Sequence, residues 1–194
     1  MTRLPLFPLH AVLFPGGLLP LKVFEPRYLG LVARCLREDT GFGVCLIRAG
    51  REVNDAPLVE GLGTLVHIDD WEQRPDGLLG ITVRGDRRIR IHRTEQDRSG
   101  LLVGEVEILP REVPQALPPS CLDLAELLER LVAELGPPLD RLAIHYSLAN
   151  DVANRLIELL PLPLEEKQAL LAEDDASQRL ERLRQGMRAL RLAS

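Results

Sequence analysis

The sequence predicts an α+β protein in which a β-rich segment, residues 1–112, is followed by a helical one, residues 120–194. Three observations predict it. Up to residue 109, short apolar runs are separated by Gly, Pro and Asp, the punctuation of strands and turns. From residue 122 onward, Leu recurs at three- and four-residue spacing, the period of a helix. Between the two, Pro110, Pro114, Pro118 and Pro119 break both periods and give residues 110–119 the composition of a linker.

One helix interrupts the β-rich segment. Pro26 suits a first helical turn, and Tyr28, Leu29, Val32, Cys35 and Leu36 follow at helical spacing until Arg37, Glu38, Asp39 and the breaker Gly41. This helix is expected over the mouth or edge of the sheet. Residues 42–47 and 63–69 read as strands, and RPDG at 74–77 as a turn feeding a strand at 79–83. Residues 87–93 alternate, which sends Ile89 and Ile91 inward and Arg88, Arg90 and His92 outward. A last strand covers 101–109, with Val103, Glu105 and Glu107 alternating.

In the helical segment, residues 122–135 carry Leu124, Leu127, Leu128, Leu131 and Leu135 on one face until GPP at 136–138. Ser147 is placed to cap a helix whose stripe is Leu148, Val152, Leu156, Ile157 and Leu160, ended by Pro161. Residues 164–173 and 176–192 bring the total to about four helices. In the last, Leu180, Leu183, Met187 and Leu190 fall at coiled-coil spacing. Two heptads favour packing against the preceding helices over dimerisation.

Composition narrows the function. The chain has 194 residues, 45% apolar and 27% charged, enough for a packed core. A net charge of −5 argues against a protein that coats nucleic acid, since such binding neutralises phosphates. Cys35, Cys45 and Cys121 are odd in number and lack CxxC spacing, which fits a reducing cytoplasm. Pro5, Pro8 and Pro15 break the apolar opening and argue against an export signal. No apolar run approaches the ~20 residues that span a bilayer.

No catalytic constellation is expected, and no cofactor or metal. His10, His67, His92 and His145 are scattered without HExxH or other ligand spacing. Asp69 and Asp70, before Trp71 and Glu72, are adjacent in a strand and so face opposite ways; a solvated loop suits them better than paired acid and base. No serine lies in GxSxG, and no GxxxxGK(S/T) loop is present to cradle ATP phosphates. A Ser–Lys dyad needs a desolvated lysine. Lys22, in the opening stretch, and Lys167, on a polar helical face, have no such setting.

The opening LPLFPLHAVLFPGGLLPLKVFEPRYLGLV, residues 4–32, resembles the start of the Lon protease amino-terminal domain: an LP-x-FPL strand, a P-G turn, and an apolar strand entering an FE-x-RY helix start. GLGTLVHI at 61–68 and VRGDRRIRI at 83–91 resemble two further strands of that family. LANDVANRLIELLPLPLEEKQALLAEDDASQRLERL, in the helical half, resembles its closing helices. The resemblance implies a PUA-like β-barrel or sheet domain followed by a helical bundle. It also implies a non-catalytic role in recognising unfolded or partner polypeptides, with a separate protease doing any cutting.

Two sets of residues are candidates for binding. Phe24, Glu25, Arg27 and Tyr28, with the lone Trp71, would grip an extended apolar peptide, since aromatics and arginine dominate binding hot spots. The competing reading makes Pro26 a helix start, Glu25 a charge at its positive end, Arg27 a nearby partner and Tyr28 a core residue. The alternative function is RNA binding through residues 84–93, with Arg88, Arg90 and His92 along a phosphate backbone. Against it, that strand has no aromatic, and Asp86, Glu95 and Asp97 beside it suit a charged edge strand. The expected peptide surface is apolar and lies between the two segments, aided by strand addition at a sheet edge.

Overall fold

The computed structural model describes residues 1–49, 57–137 and 139–189. The chain divides into two compact units, Met1–Arg111 and Glu112–Ser194. In the first, the described residues form β1 (Thr2–Leu9), β2 (Leu18–Val23), α1 (Pro26–Glu38), β3 (Phe42–Ala49), β4 (Leu58–Gln73), β5 (Leu79–Gln96) and β6 (Leu102–Ile108). They make one sheet of order β2-β5-β4-β3-β1-β6 in which β5 also pairs with β6. The pairings β5-β4-β3-β1-β6-β5 therefore run in a closed ring, and β2 adds to the first part of β5. β1 and β3 are parallel, and their connection carries β2 and α1, because a parallel pair needs a crossover where a tight turn serves an antiparallel one.

Side chains on a strand alternate between faces, yet β1 reads TRLPLFPL with apolar residues on both. The structure accounts for this with two apolar clusters. Leu4 and Leu6 join Cys45, Leu65, Ile89, Leu102 and Val106 in one. Phe7, one step on, joins Val23, Phe42, Val66, Ile81 and the α1 residues Tyr28, Leu31, Val32 and Cys35 in the other. The helix thus covers a face of the sheet, where the sequence suggested a mouth or an edge.

Burial on both faces also corrects the strand at 84–93. Arg88, expected outward, is only 7% exposed. It stands opposite Thr64, whose hydroxyl donates to the Leu13 carbonyl, and residues 10–17 cover this part of the sheet with Leu13 and Phe14. Period two tells which face a residue takes but not whether that face is bare. Nor is the segment an edge: the runs at 79–83 and 87–93 are parts of one strand, β5, paired with β4 on one side and with β2 and then β6 on the other. Asp69 and Asp70 likewise sit inside β4 rather than in a loop. Asp69 accepts a fork from Arg84, at 2.8 and 3.0 Å, and a register shift between Ile68 and Asp70 interrupts the ladder there.

Cys45 lies in the first cluster, and burial pushes its thiol up to about 12. The thiolate is the nucleophile, and a thiol held up by burial supplies almost none of it at pH 8. Iodoacetamide at pH 8 should leave Cys45 unmodified in the folded protein and alkylate it in urea. Comparable labelling in both states, read by peptide mass, would show that the cluster does not shield it.

The second unit contains α2 (Leu122–Leu135), α3 (Ala149–Leu159), α4 (Leu164–Leu171) and α5 (Ala176–Ala189). Leu124, Leu128, Val152, Leu156, Ile157, Leu170, Leu171, Leu180, Leu183 and Met187 form its buried interior. The α2 stripe is inward over its first half, but Leu135 is 55% exposed. Leu180, Leu183 and Met187 are buried within the unit, and Leu190 lies outside the described residues.

The cap of α3 differs from the one expected. The N-cap is Leu148, and the Ser147 carbonyl accepts from the Leu117 amide. Asp151 instead reaches back to the His145 amide and ring. Asp175 supplies the side-chain cap of α5, accepting from Ser177 and Gln178 at 2.8 and 3.2 Å. Lys167 is not on a purely polar face: half-buried, it donates to the Glu158 carbonyl at 2.9 Å near the end of α3, and burial lowers its pKa. No helix among the described residues is long and apolar enough to cross a membrane.

Candidate functional site

Alternation along β2 brings Val23 into the core at 1% exposure, and the next residue must then point away. Phe24 does so, at 59% exposed, and is held there because the chain turns at once into α1. Glu25 keeps extended backbone angles and Pro26 starts the helix, its fixed φ suiting the first turn and its missing N–H costing nothing there.

The motif is divided by this geometry. The Arg27 guanidinium lies 2.8 Å from the Glu25 carboxylate, donates to the Gly100 carbonyl at 3.0 Å, and sits 4.8 Å from the centre of the Tyr28 ring. It is engaged and largely buried, and it ties the start of α1 to the β5–β6 turn. Tyr28 is buried and stacks on Phe7, with ring centres 3.9 Å apart and planes 12° from parallel. Phe24 is the aromatic left at the surface.

Above that stack opens a cleft of about 180 Å³, lined by residues 7–9 of β1, residues 20–22 of β2, and Phe24, Glu25 and Tyr28. Both strands are singly paired here. The register of β1 with β6 ends at Leu6 opposite Leu102, and among the described residues β2 pairs with β5 alone. Pro8 and Pro20 have no N–H to offer, which blunts both stretches against indiscriminate strand pairing. The charges at the rim are matched: Lys22 binds Asp76 at 2.6 Å and Glu25 binds Arg27. The Lys22 hydrogen bond also holds the Asp76 carboxyl below its usual range. Apolar walls, a stacked aromatic floor and paired charges suit binding an apolar group rather than moving protons.

Trp71, 60% exposed, is not part of this cleft. It stands opposite Ile81, which stands opposite Leu21 of the cleft wall, so the three share a face. Two strand spacings place Trp71 about 10 Å from the cleft wall. Sequence reasoning missed Phe7, Pro8, Leu9, Pro20, Leu21 and Lys22 as lining residues. All lie in the opening stretch, but only the contact of β1 with α1 shows that they converge.

The other candidate set is not brought together. Arg88 is buried, while Arg90 and His92 both face Glu107, at 3.1 and 3.6 Å. Arg84 is forked by Asp69, and Arg87 meets Asp86 at 3.1 Å. Carboxylates on β4, β6 and β5 itself thus occupy much of the positive row.

Residues 3–188 match the family described as the ATP-dependent protease La (LON) substrate-binding domain. A Lon N-terminal domain protein from Xanthomonas campestris has a solved structure that is similar at a TM-score of 0.78 and 41% identity, covering 94% of this chain and 97% of that one. The N-terminal domain of a Mycobacterium avium complex Lon protease is similar at a TM-score of 0.62 and 17% identity, covering 93% and 95%, a likeness of fold. Lon protease 2 of Myxococcus xanthus is 27% identical over 91% of this chain, but the aligned part is 22% of its own length. For the Lon protease of Parabacteroides distasonis the values are 29%, 93% and 23%. The chain therefore spans less than a quarter of the length of these curated relatives. It belongs to the Lon substrate-binding domain family.

Proposed function

We propose that the protein is a non-catalytic polypeptide-recognition module that takes up apolar side chains of unfolded or partner chains, with any cutting done by a separate protease in the cytoplasm. The observation that carries this is the cleft under Phe24. Its volume of about 180 Å³ exceeds the roughly 150 Å³ that accommodates an aromatic ring, and its floor is the stacked pair Phe7 and Tyr28. Family membership supports the same role. Phe24 is the anchor, Tyr28 and Phe7 form the floor, and Glu25 and Arg27 fix the start of α1. Trp71 is a second contact for a longer segment. The closed ring of pairings supports reading the sheet as a PUA-like barrel, and the four helices as a bundle.

Anisotropy titration against a labelled unfolded polypeptide, its folded counterpart and a short RNA tests this. Saturable binding to the unfolded chain is expected at low and moderate salt. Phe24→Asp should weaken it roughly thirtyfold, the loss of a hot spot of about 2 kcal/mol, without changing the circular dichroism, because the side chain is exposed. Unaltered binding by Phe24→Asp would remove the cleft from the mechanism.

The RNA reading is tested at Arg90, not Arg88, since reversing a buried charge tests folding. Arg90→Glu is expected to leave polypeptide binding unchanged. Binding to RNA alone, lost at moderate salt and by Arg90→Glu, would replace the polypeptide reading with phosphate contacts.

A further inference from the structure

The two strand stretches that line the cleft differ from ordinary sheet edges in the hydrogen bonds they offer. The ladder of β2 with β5 runs unbroken from Leu18 to Val23, through Pro20, which has no N–H. Along a strand, successive residues turn their N–H and C=O to opposite sides. The ladder therefore passes Pro20 only if Leu19, Leu21 and Val23 exchange the hydrogen bonds with β5. The Gly85 amide, which donates to the Gly17 carbonyl at 2.9 Å, continues the same parity. Leu18, Pro20 and Lys22 then turn their backbone groups to the open side. In β1, the ladder with β6 passes Pro5 in the same way, which gives Thr2, Leu4 and Leu6 to β6. Pro8 has that parity too, but the ladder has ended before it. Among the described residues neither the Pro8 nor the Pro20 carbonyl meets a donor. Pro8 is buried, and a buried carbonyl normally finds one.

We propose, resting on the polypeptide-recognition reading above, that the occupant of the cleft is an extended segment added to the open edge of β2, and that the cleft selects an anchoring residue which keeps its own N–H. Residues opposite one another in a sheet share a face. An anchor opposite Leu21 thus sends its side chain to the face on which Leu21 packs with Phe7 and Tyr28. In a segment parallel to β2, the anchor N–H donates to the Pro20 carbonyl and its C=O accepts from the Lys22 amide. In an antiparallel segment the same N–H turns towards β1, which offers the Pro8 carbonyl. In both directions a proline carbonyl is the acceptor, and an anchor without an N–H, such as proline itself, leaves it unmet. Lys22 binds Asp76 and Glu25 binds Arg27, so neither calls for a charged anchor.

Anisotropy titration of the whole chain with a synthetic peptide, one phenylalanine among serines and threonines, tests this. Two analogues are compared with it: one with an ester oxygen in place of the phenylalanine N–H, the other with the ester at the end of the peptide. The parent peptide should bind, and Phe24→Asp should weaken it. The ester at phenylalanine should bind about fivefold more weakly, the loss of one hydrogen bond, and the terminal ester as well as the parent. Equal binding by the phenylalanine ester and the parent, still weakened by Phe24→Asp, would overturn strand addition and leave the polypeptide reading standing. No binding of the parent, or binding indifferent to Phe24→Asp, would overturn that reading and this inference together.

Discussion

Glu112→Ala should lower the stability of the helical unit by about 3–5 kcal/mol, the cost of removing one partner from a buried ion pair. Arg179 is 0% exposed, and besides Glu112 it donates to the Asn154 side chain and to the Glu173 carbonyl. Those two acceptors are neutral, so truncating Glu112 removes a carboxylate that binds both terminal nitrogens of a cation with no access to water. A domain is stable by only about 5–15 kcal/mol, so the loss would be visible in urea unfolding followed by helical circular dichroism. The pair's net worth is a separate question. Replacing both residues with apolar ones of similar volume, Glu112→Leu with Arg179→Met, should return most of the lost stability, because neither charge then needs desolvating. A single variant within about 1 kcal/mol of the wild type would mean that water reaches the site and the pair behaves as an exposed one.

That pair also marks where sequence reading reached its limit. The start of α1 was legible because Pro26 fixes its own φ wherever it occurs, a property of one residue. The role of residues 110–119 was not. Proline spacing reports that no periodic element is present, but nothing local indicates that Glu112 and Gln115 meet Arg179, Asn150 and Ala149 from helices 34 to 67 positions away. Arg88 shows the same limit on a strand, since its face follows from alternation while its burial does not. The runs at 79–83 and 87–93 join through Gly85, where a Cβ would stand 2.4 Å from the Phe14 carbonyl. The backbone instead exchanges hydrogen bonds with Gly16 and Gly17. The cleft was half legible: Phe24 was singled out in its motif, while its floor required knowing that β1 and α1 pack together.

Leu6→Ala is expected to cost about 2–5 kcal/mol, the range for emptying a buried leucine site, and a glycine explains why the site is tight. Leu6 is 0% exposed and stands opposite Gly43 in β3. A Cβ on Gly43 would lie 2.6 Å from one Leu6 methyl, and a Cβ on Gly104 2.9 Å from the other. Both strands therefore give up a side chain where Leu6 inserts, an instance of strand glycine marking close approach. Gly43→Ala in the wild type should then destabilise by about 1–3 kcal/mol through overpacking. In the Leu6→Ala background the same methyl enters space that the leucine vacated, although Ile89, 2.7 Å from that position, must still shift. The two changes should be strongly non-additive, with the double variant more stable than the sum of the single losses by at least about 1 kcal/mol. Simple additivity in the double-mutant cycle would mean that the clash of Gly43→Ala is with Ile89 alone, and that the first cluster is organised around Ile89 rather than Leu6.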